Sequence, residues 1–328
     1  MLLTNGFYGA GDTVLQLARE ATDNPAPTVN TPPNPMFPAS FSRPRLVQSV
    51  DNEDDAGTRG VYGIGSHRPQ AVIPGGKQLR QGIGWAIPYG AEIDPLLALC
   101  VPGAGETLPS ACFLFGARVM VGSAEHGTLK AQRFAKCDSV EITLSSYQEA
   151  EAKAWFWFIA DEPLGTLPSG AQTAPITPSM NLAPFTWGDV KEINVRGVNV
   201  RNLVDRVSIR ADYGLTRSLY RGQIPDSPWS GTTFMLQEGQ FSFRSVLQFQ
   251  TPDPLAYIAA NGENNSARTL EIKLENTRAQ IESGAAPAKL TIWGEKGGRG
   301  VVGKGVTSAS PHVSRLSLVL MGLDFAAT

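Results

Sequence analysis

Alternation with a period of two residues dominates this chain. In FSFRSVLQF, Phe241, Phe243, Leu247 and Phe249 fall on one face. In TLEIKLEN, Leu270, Ile272 and Leu274 point one way, while Glu271, Lys273 and Glu275 point the other. The pattern recurs in VEITLS (Val140, Ile142, Leu144), in VSIRA (Val207, Ile209) and in RLSLVL (Leu316, Leu318, Leu320). Successive strand side chains point to opposite sides of a sheet, so this pattern predicts half-buried antiparallel strands. AWFWFIA, residues 154–160, is apolar on both faces. It predicts a central strand covered on both sides, or one whose second face is buried against another subunit. The 34 glycines and 24 prolines point the same way, because proline inside a helix costs about 3 kcal/mol.

Two short helices are nevertheless marked, and by the same phrase. EIDPLLALCVPG contains Asp94-Pro95-Leu96, and TPDPLAYIAANG contains Asp253-Pro254-Leu255, 159 residues later. Each Asp can cap a helix start by accepting from free backbone N–H groups. Each Pro then takes the first helical position, where its missing N–H costs nothing. Pro102-Gly103 and Asn261-Gly262 provide the stops. The flanks match as well. GGKQLRQGIGWAI and EGQFSFRSVLQFQ both run glycine, arginine in an apolar strand, aromatic (Trp85, Phe249), and then the Asp-Pro helix. This order predicts a duplicated unit.

A chain of 328 residues has room for two such units. Residues 1–44 read as a proline-rich arm, with DTVLQLAREA (12–21) as one short helix capped by Asp12. The arm is expected to act between molecules and to lie outside the fold. The first β domain is expected over 45–162, a proline-rich linker over 163–186 and the second β domain over 187–328. The expected fold class is mainly β: two tandem antiparallel β-sandwich or barrel domains, each with one short flanking helix.

The motifs that carry chemistry are incomplete. Gly298-x-x-x-x-Gly303-Lys304 follows a phosphate-binding loop, but Gly305 stands where Ser or Thr would hold magnesium. A flexible loop between two strands is expected there. DNEDDAG, residues 51–57, resembles half a calcium loop, but Tyr62 occupies the place of the bidentate acid. A solvated acidic loop is expected. His67, His126 and His312 lack zinc-ligand spacing, and Ser66 and Ser123 lie in no nucleophile elbow. Cys100, Cys112 and Cys137 are odd in number and unpaired in spacing, which predicts buried free thiols in a reducing compartment. The 28 basic residues nearly balance the 30 acidic ones, so no basic surface for gripping nucleic acid is expected. No apolar run approaches the roughly 20 residues a membrane helix needs. No enzyme activity, cofactor or metal is expected.

Several stretches together resemble the tail tube proteins of long-tailed, double-stranded DNA bacteriophages. They are YGIGSHRPQAVIPGGKQLRQGIGW and RFAKCDSVEITLSSYQEAEAKAWFWFIADEP in the first half. RVSIRADYGLTRSLYRGQIPDSPWSGTTFMLQEGQFSFRSVLQF and TLEIKLENTRAQIESGAAPAKLTIWGEK are their counterparts in the second. The likeness spans about Val61–Glu162 and Trp187–Phe325 and lies in order and texture rather than in a diagnostic motif. It implies a virion protein, assembled in the host cytoplasm. Its rings would stack into a tube around a tape measure protein, and the tube would later pass DNA without specific binding. Many members of that family carry one such domain and this chain would carry two, so the expected ring is a homotrimer of pseudo-sixfold shape. The rival expectations are a tandem β-sandwich adhesion or carbohydrate-binding module using exposed aromatics such as Trp187 and Trp229, and another virion ring protein of the baseplate or head–tail joint.

Overall fold

The computed structural model describes residues 13–20, 37–55, 58–61, 71–74, 78–90, 92–102, 107–121, 124–158, 160–164, 167–171, 183–220, 233–251, 253–263, 268–276, 287–295, 301–304 and 314–328. The first half of the chain contributes β1 (Thr13–Arg19), β2 (Val47–Asp55), β3 (Thr58–Val61), β4 (Ala71–Pro74), β5 (Gln78–Ala86), α1 (Pro95–Ala98), β6 (Ala111–Val121), β7 (Ala124–Ser145), β8 (Glu151–Trp157) and β9 (Ala160–Leu164). The second contributes β10 (Val190–Val195), β11 (Val198–Asn199), β12 (Val204–Asp212), β13 (Thr216–Tyr220), β14 (Thr233–Gln237), β15 (Ser242–Phe249), α2 (Pro254–Ala260), β16 (Arg268–Asn276), β17 (Ala288–Glu295), β18 (Val301–Lys304), β19 (Ser314–Leu320) and β20 (Leu323–Ala327). The protein is mainly β and antiparallel, as the alternation predicts.

One long layer runs β2-β5-β8-β7-β12-β15-β19-β18. Beneath it lie two smaller sets: β1, β6, the first part of β7 and β9, and then β11-β10-β16-β17-β20. The alternating residues meet between the layers. Ile142, Phe156, Ile209, Leu247 and Leu318 come from the long layer, and Phe113, Ile193, Ile272 and Ile292 from below, in one continuous core. The Phe113 and Phe156 rings, one from each layer, lie 5.0 Å apart. Burying a side chain of this size stabilises by roughly 1.5–3 kcal/mol, so in-phase alternation over many strands suffices to specify two layers.

The pairing scheme occurs twice. β1 pairs β6, β6 pairs β7 and β7 pairs β9; β10 pairs β16, β16 pairs β17 and β17 pairs β20. In the long layer, β2-β5-β8-β7 has its counterpart in β12-β15-β19-β18. Even the irregularities agree. The β2–β5 register slips between Val47 and Ser49 opposite Trp85 and Gly84. The β12–β15 register slips between Val204 and Arg206 opposite Phe249 and Gln248. In each half a two-stranded ribbon, β3–β4 or β13–β14, lies between those two strands in sequence. The two four-stranded sets join at one seam, where β7 and β12 pair antiparallel from Arg206↔Ser145 to Asp212↔Ser139.

β7 is 22 residues long and belongs to both layers. Leu129–Arg133 pair with β9 below, and Lys136–Thr143 pair with β8 above. The turn between layers falls at Phe134, whose φ is 54°, a left-handed conformation a bulky side chain adopts only when its surroundings impose it.

Four expectations are corrected. Residues 13–19 form a strand, not the helix expected over 12–21, because β1 pairs along its whole length with β6. Pairing and burial of Gln16, Leu17 and Ala18 override the local propensity. This part of the 1–44 arm is therefore built into the sheet. The acidic stretch Asp51–Asp55 is part of strand β2, and Val301–Lys304 is strand β18; both were expected to be loops. β8 is central, but only one of its faces is covered by a layer. Ala154 and Phe156 are buried, whereas Trp155 and Trp157 lie half-buried on the outer face under the Arg80 guanidinium, 4.4 and 5.7 Å from their rings.

Candidate functional site

Both Asp-Pro phrases form the helices expected of them. The Asp94 carboxylate accepts from the N–H of Leu96 at 2.9 Å and of Leu97 at 3.3 Å. Asp253 accepts from the N–H of Ala256 at 3.1 Å. Pro95 and Pro254 open the helices, and Gly262 follows α2 with φ 88°, the left-handed stop a glycine supplies.

Their surroundings differ. Leu96 and Leu97 are fully buried, whereas Leu255 is 40% exposed and Tyr257 36%. The second half of the chain supplies the cover over the first helix. The Tyr213 hydroxyl, just past β12, donates to the Cys100 carbonyl beside α1. The Glu238 carboxylate, just past β14, accepts from Lys136 Nζ at 2.5 Å and from the Leu108 N–H at 3.2 Å. Tyr213 also stacks edge-on against Phe241 and Phe243, with centroids 5.0 and 5.9 Å away. Burial holds the Tyr213 hydroxyl protonated well beyond its ordinary range, so it stays a donor.

Asp94 is held in an unusual state. Burial raises its carboxyl to about 6, against the lowering pull of the Leu97 and Leu96 N–H groups and of Arg45. Its Oδ2 is buried with no hydrogen-bond partner in the structure.

The outer face of the long layer is polar. It carries Arg206, Arg210, Arg244 and Arg315 in the second half, all exposed, and Asp51, Glu141 and Lys153 in the first. Lys153 pairs with Asp51 at 3.0 Å, Arg210 with Asp212 at 2.8 Å, and the Ser208 hydroxyl donates to Glu141 at 2.9 Å. The face is thus mixed in charge, with Arg80 in the first half lying over Trp155 and Trp157.

At one end of the β7–β12 seam lies an open cleft of about 1050 Å³, lined by residues that include Tyr147, Trp187, Arg201, Asp205 and Gln250. Tyr147 is fully exposed. The polar groups of the cleft are committed to one another. Arg201 donates to the carbonyls of Val190 at 3.0 Å and Trp187 at 3.2 Å and lies 4.5 Å from the Trp187 ring. Gln250 donates to Asp205 at 2.6 Å.

Among the described residues, no group of three His, Cys, Asp or Glu side chains could hold a metal ion. Cys100, Cys112 and Cys137 are buried free thiols. His126 lies within β7. His67, His312, Gly298, Ser66, Ser123 and Trp229 lie outside the described residues. No described helix is long and apolar enough to cross a membrane.

What the sequence reasoning missed is the pair of open edges. Among the described residues, β2 and β18 end the long layer and each pairs on one side only. Their signal was present in the acidic run and in the Val-Val pair among glycines, but neither alternates. The chain matches no protein-family model and no curated protein.

Proposed function

We propose that the protein is a structural subunit whose copies join edge to edge into rings, and that the rings stack into the tail tube of a bacteriophage. The observation that carries the reading is the β7–β12 seam. Two four-stranded sets with the same internal pairing meet there through their edges, and each remaining edge, β2 and β18, has the partner type it would need at the other end of the same layer. A sheet with exposed edges invites pairing with another chain, and closure into a ring removes the edges. Two tandem tail-tube domains per chain, in rings resembling six-domain closures, give three chains per ring.

In this reading the polar outer face of the long layer lines the channel. On it Arg210 is engaged by Asp212 and Lys153 by Asp51, which limits the fixed grip those two cations could take on DNA passing with a tape measure protein. The chain performs no catalytic step and needs no cofactor, metal or membrane. Its place is the virion tail, reached after assembly in the host cytoplasm. Electron microscopy of the purified, concentrated protein tests this. Rings of three chains, or tubes of stacked rings, are the expected result. Monomers at tens of micromolar with no ring in the images would overturn it.

A further inference from the structure

We propose that β2 of one copy pairs antiparallel with β18 of a second copy, in the register of the internal β7–β12 seam, and that like charge keeps β2 from pairing with itself. The inference rests on the repeated pairing scheme and does not depend on the tail-tube reading.

The register follows from two alignments. Matching the slips at Val47/Ser49 and Val204/Arg206 sets β2 on β12, so that Asn52, Glu53, Asp54 and Asp55 take the places of Ile209, Arg210, Ala211 and Asp212. The same match sets Trp85 on Phe249. Ala152 opposite Trp85 then corresponds to Ser314 opposite Phe249. Through β8 and β19, Ser139, Val140, Glu141 and Ile142 of β7 correspond to Val301, Val302, Gly303 and Lys304 of β18. At the seam Ile209 faces Ile142, Arg210 faces Glu141, Ala211 faces Val140 and Asp212 faces Ser139. Carried over, Asn52 faces Lys304, Glu53 faces Gly303, Asp54 faces Val302 and Asp55 faces Val301 across two copies.

Charge chooses among the ways these edges could pair. β2 carries Asp51, Glu53, Asp54 and Asp55 and no basic residue. β18 reads VVGK and carries no acidic residue. Like charges opposite one another destabilise a strand pair and opposite charges stabilise it. Two β2 edges therefore repel, whereas β18 sets Val301, Val302, Gly303 and Lys304 opposite the acidic run, so that no acid faces an acid. Such a contact is head to tail, so it continues from copy to copy until it closes. The exposed Leu255 and Tyr257 on α2 fit the same occupant. The matching helix α1 is buried where a second four-stranded set adjoins the first, and among the described residues α2 has no such neighbour.

Disulfide trapping tests the register. An Asn52→Cys protein is mixed with a Lys304→Cys protein under mild oxidation, and Glu53→Cys with Gly303→Cys likewise. The two pairs sample both kinds of antiparallel position. Directly opposed Cβ atoms lie about 4.5–5.5 Å apart and diagonal ones about 7–8 Å, while a disulfide needs roughly 3.5–4.5 Å. At least one opposed pair is expected to give a linked dimer. The offset mixture of Asn52→Cys with Val302→Cys is expected to give at most about a tenth of that yield. Links between two Asn52→Cys copies should be scarce at low salt and rise as salt is added, because charge repulsion is screened beyond about 10 Å at 0.1 M. Circular dichroism checks that each variant folds. Equal yields from opposed and offset mixtures, or links between two Asn52→Cys copies as strong as the mixed ones, would overturn the proposal. Register-specific links without rings or tubes would defeat only the tail-tube reading. Tubes without such links would defeat only this junction.

Discussion

Asp94 offers a stability measurement whose sign runs against the usual role of a helix cap. Its carboxyl is raised to about 6 in the folded protein from an ordinary 3.8, because burial penalises the charge more than the two backbone N–H groups favour it. The unfolded chain thus releases this proton more readily than the folded one. Well below pH 3.8 the carboxyl is neutral in both states and costs nothing, and by pH 4 the cost is still only about 0.5 kcal/mol. As pH rises from 4 to 6 the folded state loses stability, and above 6 the loss is complete. A rise of roughly two pH units, at about 1.36 kcal/mol for each, gives about 3 kcal/mol. Asparagine caps a helix about as well as aspartate and carries no charge to bury. Asp94→Asn should therefore match the wild type to within about 0.5 kcal/mol at pH 3.5–4 and exceed it by up to about 3 kcal/mol at pH 8. Urea denaturation of both proteins across this range gives the difference directly, free of other carboxylates that titrate in both. Asp253→Asn, at the exposed cap of α2, is the control for the change of side chain and should stay within about 0.5 kcal/mol of the wild type at pH 8. An Asp94→Asn protein less stable than the wild type at pH 8, or a difference that does not change with pH, would refute the reasoning.

Glu20→Ala should cost about 3–5 kcal/mol. It removes the carboxylate that holds the buried Arg133 guanidinium at 2.8 and 3.1 Å. Denaturant midpoints check this, and a loss below about 1 kcal/mol would show that β1 is not anchored this way. Gly239→Ala should destabilise by roughly 1–3 kcal/mol, since a Cβ there would stand 2.4 Å from the Gly214 carbonyl oxygen, a backbone atom with nowhere to retreat. Thermal melting reads it, and an unchanged melting temperature would contradict the packing at the stem of the β13–β14 ribbon.

The parts of this fold that could be read from the sequence are those where one chain segment carries its own instruction. Leu270, Ile272 and Leu274 announce a buried face whatever lies opposite, and Asp253-Pro254 announces a helix start. β1 could not be read, because TVLQLAR fits a helix or a strand and only β6 decides between them. β2 and β18 were misread for a different reason. An edge strand that must not aggregate is written in charges and glycines, and that is also the composition of a loop. The two helix phrases were found, but not that Leu96 is sealed while Leu255 is open. That difference lies in what the neighbouring set of strands covers, and no local pattern encodes it.

The length of β7 has a mechanical meaning. Because one unbroken strand is hydrogen-bonded to β6 and β9 below and to β8 and β12 above, the two layers of the first half cannot slide past each other as plates. Shear between them must tear a ladder of backbone hydrogen bonds or straighten the corner at Phe134. In the second half the corresponding strands, β17 and β18, are separated by five residues of chain, every one of them glycine or charged. A load applied to the long layer is therefore transmitted through the first half into the layer beneath by backbone hydrogen bonds rather than by side-chain packing alone.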